Sequence, residues 1–124
     1  MSAVLIADDD PIARELLVFR LETEGFEVRA AEDGPAALAA AQENAPDIAV
    51  LDVHMPGLSG FDVCRMLRTD PATSAIPVIM LTASVQEADV ATGFDVGADD
   101  YLAKPFNPRE LVSRIEAVLA RSGR

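Results

Sequence analysis

Five short apolar runs, separated by longer amphipathic stretches, constrain this chain more than any other feature. The runs are Ala3–Ala7, Phe26–Ala30, Asp47–Leu51, Val78–Leu81 and Tyr101–Ala103. The first, third and fourth are almost continuously apolar, as strands buried on both faces are. The stretches between them carry helix signals. Asp10-Pro11 reads as N-cap and first helical residue, and Gly25 as the stop. Asp33-Gly34-Pro35 opens an alanine-rich helix that Ala45-Pro46 closes. Ser59, with Asp62 three residues on, opens a third. Ser84-Val85-Gln86-Glu87 has the capping-box pattern, with Gly97 as its C′ residue. Asn107-Pro108-Arg109-Glu110 opens the last helix, which should run to about Arg121. Five strands alternating with five helices predict an α/β fold with a parallel sheet covered on both faces and right-handed crossovers. The site of such a sheet lies in the crevice beyond the carboxyl ends of its strands.

With 124 residues, half of them hydrophobic, the chain suits one domain with one core. A net charge of −11 argues against nucleic acid or an anionic membrane as its direct partner. The early apolar run Ala3–Ala7 is too short to span a bilayer. Cys64 is the single cysteine, which leaves no internal disulfide and no cysteine-based metal cluster. These features read as a soluble, cytoplasmic domain. Lys104 is the only lysine among ten basic residues.

What stands at the run ends carries the chemistry. The first ends in Asp8-Asp9-Asp10, the third in Asp52, the fourth in Thr82 and the fifth in Lys104-Pro105. A parallel sheet brings these groups to one edge. Carboxylates held together repel and raise one another's pKa, and a hard divalent cation relieves that repulsion. Mg²⁺ fits best, because it accepts one or two carboxylates and keeps several waters; Mn²⁺ is the alternative. Calcium would want more oxygens and an EF-hand spacing, and softer metals would have only Cys64 and His54. A carboxylate beside such an ion can attack phosphorus to give an aspartyl-phosphate. A divalent cation, a lysine ammonium and a threonine hydroxyl would together cover the phosphoryl oxygens. Other residues have plainer readings. Asp10 is a helix cap, His54 a loop residue, and Cys64 a packing residue of the third helix. Met55, Met66 and Met80 read as core or loop packing.

The segments Val4-Leu5-Ile6-Ala7-Asp8-Asp9-Asp10-Pro11, Leu51-Asp52-Val53-His54-Met55-Pro56-Gly57, Leu81-Thr82-Ala83 and Gly97-Ala98-Asp99-Asp100-Tyr101-Leu102-Ala103-Lys104-Pro105-Phe106 resemble the receiver domain of two-component response regulators. The likeness covers roughly residues 3 to 121. It implies a flavodoxin-like, CheY-like (βα)5 sandwich of strand order 2-1-3-4-5. Residues 1–124 would then form one receiver domain. By the same resemblance Asp52 is the phosphoacceptor, and Asp8 and Asp9 join it in binding Mg²⁺. The backbone carbonyl of His54 is a further ligand. Lys104 pairs with the phosphoryl group, and its bond to Pro105 is expected to be cis. Thr82 and Tyr101 are the switch pair, and Ala83 is the small residue that keeps the site accessible. The implied donor is the phosphohistidine of a sensor kinase or a histidine phosphotransfer protein. The chain would catalyse only its own phosphorylation and slow dephosphorylation. The readout surface is expected on the fourth helix, fifth strand and fifth helix, acting on a partner or output domain.

Asp99, Asp100, Glu110 and Arg114 look like part of the charged dimer interface of receivers attached to winged-helix DNA-binding domains. That interface also needs basic residues on the fourth helix. Here no Lys or Arg occurs from Ser84 to Tyr101, and Val90 and Thr92 stand where they would be expected. The expectation is therefore a monomer or weak dimer. The longer third connection, Arg68 to Pro77, resembles single-domain regulators and receivers of cyclic-dinucleotide enzymes. A standalone regulator and the receiver of a longer chain look alike here; the first is expected because the chain starts with its own Met and ends just past the last helix. Two other readings stay open from the residues. One is a Mg²⁺-dependent phosphohydrolase, although His54 stands where those enzymes carry a second aspartate. The other is an interaction module that is never phosphorylated.

Overall fold

The computed structural model describes residues 2–83, 92 and 94–122. Five parallel strands form one sheet in the order β2-β1-β3-β4-β5. They are β1 (Ala3–Ala7), β2 (Glu27–Ala31), β3 (Ile48–Asp52), β4 (Val78–Thr82) and β5 (Asp100–Ala103). The described helices are α1 (Pro11–Thr23), α2 (Gly34–Glu43), α3 (Gly60–Thr69) and α4 (Pro108–Arg121). Here α4 is the last of the helices predicted; of the helix expected from Ser84-Val85-Gln86-Glu87, that start and Val90 lie outside the described residues, while Thr92, Phe94 and Asp95 near its expected end are helical. Gly97, its expected C′ residue, has φ +99.

The continuously apolar runs occupy the middle of the sheet, as expected of strands covered on both faces. Every residue of β3 and β4 is buried. The edge strands β2 and β5 are more polar and more exposed. Alternate residues serve opposite faces. Leu5, Ala7, Leu51 and Met80 pack with α2 and α3 residues such as Ala37, Val63 and Leu67. Val4, Ile6, Val50 and Leu81 pack with Leu17 and Leu21 of α1 and Leu111 and Ile115 of α4. Four strands differ from the runs by one residue at one end or both, because hydropathy marks burial and not the last rung of a ladder.

The helices start where the capping chemistry dictates. Asp10 accepts from the Ile12 N–H at 3.0 Å, Asp33 from Ala36 at 2.8 Å and Asn107 from Arg109 at 2.9 Å. Ser59 and Asp62 form a complete capping box. Gly25, with φ +95, turns the chain from α1 into β2. Of the methionines, Met55 and Met80 are buried, whereas Met66 stands exposed on α3 rather than packed.

Candidate functional site

The ladder carries one step past the carboxyl ends of the strands, and this places the site. The Asp8 N–H donates to the Ala31 carbonyl at 3.2 Å, Val53 to Leu81 at 2.8 Å and Lys104 to Thr82 at 2.6 Å. Asp8, Asp52 and Lys104 are thereby held at adjacent positions on one edge of the sheet. Gly60 brings α3 against the acidic strand: a Cβ there would come within 2.5 Å of the Asp52 carbonyl oxygen.

Asp8, Asp9 and Asp52 each offer a carboxylate oxygen within 4.8 Å of the others. Asp8 is fully buried and Asp52 is 5% exposed, while Asp9 faces solvent. Lys104 Nζ lies 3.3 Å from Asp52 Oδ2 and 3.4 Å from Asp8 Oδ2. Asp8 Oδ1 accepts from the Asp10 N–H at 3.0 Å, and Asp52 Oδ1 from the His54 N–H at 3.3 Å. Burial pushes the Asp52 carboxyl above its ordinary value, against the pull of Lys104 and with the push of Asp8. Burial works against the Lys104 ammonium, but Asp52 and Asp8 outweigh it and raise its pKa.

Three carboxylates face one ammonium here, which leaves negative charge unmatched between two buried groups. All the donors are oxygens, the chemistry of a hard cation. These residues fit Mg²⁺.

The remaining predicted residues lie at the same edge or in the core. Thr82 is buried at the end of β4, opposite Ala103 of β5. Ala83 is exposed beside the site. The Lys104–Pro105 bond is cis. Tyr101 packs against the core on the α2–α3 face, and its hydroxyl, shielded from solvent, has no hydrogen-bond partner among the described residues. His54 is exposed in the loop after β3. Asp10 caps α1 and is absent from the carboxylate cluster. Cys64 is fully buried, and burial pushes its thiol to about 11, so it is inert at neutral pH.

Arg14 at the site, and Arg68 at the opposite, amino-terminal edge of β4 and β5, carry no sequence signal. Arg14, on α1, donates to the Asp8 carbonyl at 2.9 Å. Arg68, at the end of α3, donates to the carbonyls of Ser74, Ile76 and Gly97 and to Asp99 Oδ2. The charges expected at a dimer interface are engaged within the chain. Asp99 meets Arg68 at 3.2 Å, and Arg114 meets Asp100 at 3.0 Å and Glu110 at 3.4 Å.

An apolar surface borders the acidic cluster. A groove of about 640 Å³ runs from Asp8 and Lys104 between α1 and the loop after β5, lined by Ala13, Leu16, Leu17, Pro105, Phe106 and Pro108. Next to it, Ile12, Leu16 and Phe19 of α1 are 70%, 65% and 71% exposed. Their spacing places them on one helix face.

Known proteins share this arrangement. The family described as "Response regulator receiver domain" matches residues 4–116. The sensory transduction protein RegX3 of Mycobacterium tuberculosis is 49% identical over 123 residues, covering 99% of this chain and 53% of that protein. The DNA-binding response regulator MtrA of Mycolicibacterium smegmatis is 47% identical over 119 residues, covering 96% and 51%. The chain thus spans about half the length of these curated relatives. Among solved structures, a response regulator from Chloroflexus aurantiacus superposes with a TM-score of 0.91 at 43% identity, covering 96% of this chain and 98% of that one. The receiver domain of a Pseudomonas aeruginosa sensor histidine kinase, solved with magnesium coordinated in its active-site cleft, superposes with a TM-score of 0.89 at 28% identity, covering 96% and 98%.

Proposed function

The chain belongs to the response regulator receiver family, and on that premise we propose that it is a phospho-accepting switch whose acceptor is Asp52. The observation that carries this reading is the Lys104 ammonium set between Asp52 and Asp8, beside the exposed carboxylate of Asp9. Residues 1–124 act as one receiver domain, with its core in residues 3–121.

In the transfer step, a carboxylate oxygen of Asp52 attacks the phosphorus of a phosphohistidine. An O–P bond forms, the P–N bond breaks, and its electron pair leaves on the imidazole nitrogen of the donor. Lys104 opposes the effect of burial on the Asp52 carboxyl and supplies positive charge to the phosphoryl oxygens. Asp8, Asp9 and Asp52, with the His54 carbonyl, would hold Mg²⁺, or Mn²⁺ in its place. That ion, when bound, neutralises charge on the phosphoryl group. Thr82 provides a hydroxyl at the same edge, and Ala83 leaves the approach open. Thr82 and Tyr101 then couple the new charge to the face built on β5 and α4. The chain modifies itself and returns slowly to its starting state; it does not turn over a substrate.

The donor is a sensor kinase or a histidine phosphotransfer protein. Its phosphohistidine has to reach the mouth of the acidic cluster, so the donor covers the rim. The apolar rim offers Ile12, Leu16 and Phe19 of α1 and the adjoining groove. With a net charge of −11, this chain leaves any nucleic-acid contact to an output domain or partner. No described helix is long and apolar enough to cross a membrane, and a cytoplasmic location is part of the proposal.

Transfer from a phosphohistidine donor, followed with and without a chelator, tests this reading. Labelling of the chain that stops on chelation and resumes on adding Mg²⁺ is expected. Labelling indifferent to the chelator would contradict the metal-assisted reading.

A further inference from the structure

The Asp8 carbonyl is the first beyond β1. The registered pairs of β1 end at Ala7, opposite Ala31 on one side and Leu51 on the other, so no ladder partner meets this oxygen. Arg14 reaches back from the first turns of α1 and donates to it at 2.9 Å. The peptide that this bond fixes is the one joining Asp8 to Asp9.

The two carboxylates depend on that peptide unequally. Asp8 is buried and held through its own oxygens, by the Asp10 N–H at 3.0 Å and Lys104 at 3.4 Å. Asp9 is exposed, and no hydrogen bond from the described residues holds its carboxylate. The described contacts therefore hold Asp9 only through its backbone, whose preceding peptide accepts the bond from Arg14.

We propose that Arg14 is a positioning residue for the metal: through the Asp8 carbonyl it aims the Asp9 carboxylate at the ion shared with Asp8 and Asp52. The proposal rests on reading those three aspartates as the Mg²⁺ site. Its sign is distinctive. A guanidinium acting only through its charge would repel a divalent cation, and removing it would tighten binding. A guanidinium that orients a ligand does the opposite, and loss of such supporting hydrogen bonds typically weakens metal binding by about 10–100-fold.

The test is calorimetric titration of Mg²⁺ into the wild-type chain and into Arg14→Met and Arg14→Lys. Methionine keeps an apolar stem without a donor, and lysine keeps a cationic donor. Arg14→Met is expected to raise the Kd about tenfold, with Arg14→Lys lying between it and the wild type. The metal-free melting temperature should change little. Phosphoryl uptake from acetyl phosphate should need more Mg²⁺ in Arg14→Met but reach the same plateau. Should the methionine variant not fold, Arg14→Gln, too short to reach the carbonyl, takes its place with the same expectation. Unchanged or tighter Mg²⁺ binding without the donor would overturn the proposal, as would equal weakening by Met and Lys. A wild type that does not bind Mg²⁺ would instead overturn the underlying reading of the three aspartates.

Discussion

Asp52, the proposed nucleophile, is also a liability to the fold. Its carboxyl is raised by burial in the folded chain, so the fold favours its protonated form. Such a contribution is present below the unfolded value near 3.8 and is lost as the pH rises through the folded one. At neutral pH the ionised group therefore strains the fold, and Asp52→Asn should relieve it. Thermal unfolding with a chelator at pH 7 should show the variant melting roughly 3–6 °C higher, the shift about 1 kcal/mol gives at this length. The gain should shrink as the pH falls toward 3.8. Lys104 works in the other direction, because it opposes both buried carboxylates. Lys104→Ala should separate phosphorylation from response, leaving partner binding the same with and without the phosphoryl group; normal phosphate-dependent binding would argue against that role. The carboxylates and Lys104 were legible in the sequence because each stands one step past an apolar run, a position the parallel sheet turns into one edge. Arg14 was not legible, since an arginine on an amphipathic helix reads as solvated surface until its carbonyl partner is located.

Caps made the described helices legible, while their neighbours in space were not. Asp10, Asp33, Ser59 and Asn107 all act as N-caps at the positions where their sequence patterns set them. Nothing local to α3 announces that Gly60 touches the backbone of Asp52. Gly60→Ala should cost about 1–3 kcal/mol by overpacking and should slow phosphoryl uptake, because the clash falls on Asp52 itself. Denaturant unfolding and an uptake time course would check both effects. The exposed face of α1 was likewise hidden, its apolar residues reading as ordinary amphipathic core. Leu16→Ser and Phe19→Ser should change stability by no more than about 0.5 kcal/mol, as surface substitutions do. They should slow transfer from a protein phosphohistidine donor and spare uptake from acetyl phosphate. Equal slowing with both donors would place the defect in the site and not in docking.

Across the whole molecule, the charge pattern and the fold divide the work. One edge of the sheet concentrates carboxylates, and the two core layers hold that edge rigid from both faces. The doubly wound architecture and the strand order were available from alternation and from the family resemblance. Assembly was not, because Asp99, Asp100, Glu110 and Arg114 serve inside the chain the kind of pairing that a dimer interface would also use. The longer third connection resembles both single-domain regulators and receivers of cyclic-dinucleotide enzymes, and the curated relatives at 47% and 49% identity are about twice as long as this chain. On the proposed reading, all readouts downstream, whether in an attached domain or a separate partner, depend on one covalent event at Asp52. Intact mass after incubation with Mg²⁺ and acetyl phosphate, with Asp52→Asn alongside, tests that event most directly. A single added phosphoryl group on the wild type and none on the variant is the predicted result. Stable uptake by Asp52→Asn, or no uptake by a wild type that binds Mg²⁺, would contradict it and favour an interaction module that works without phosphorylation.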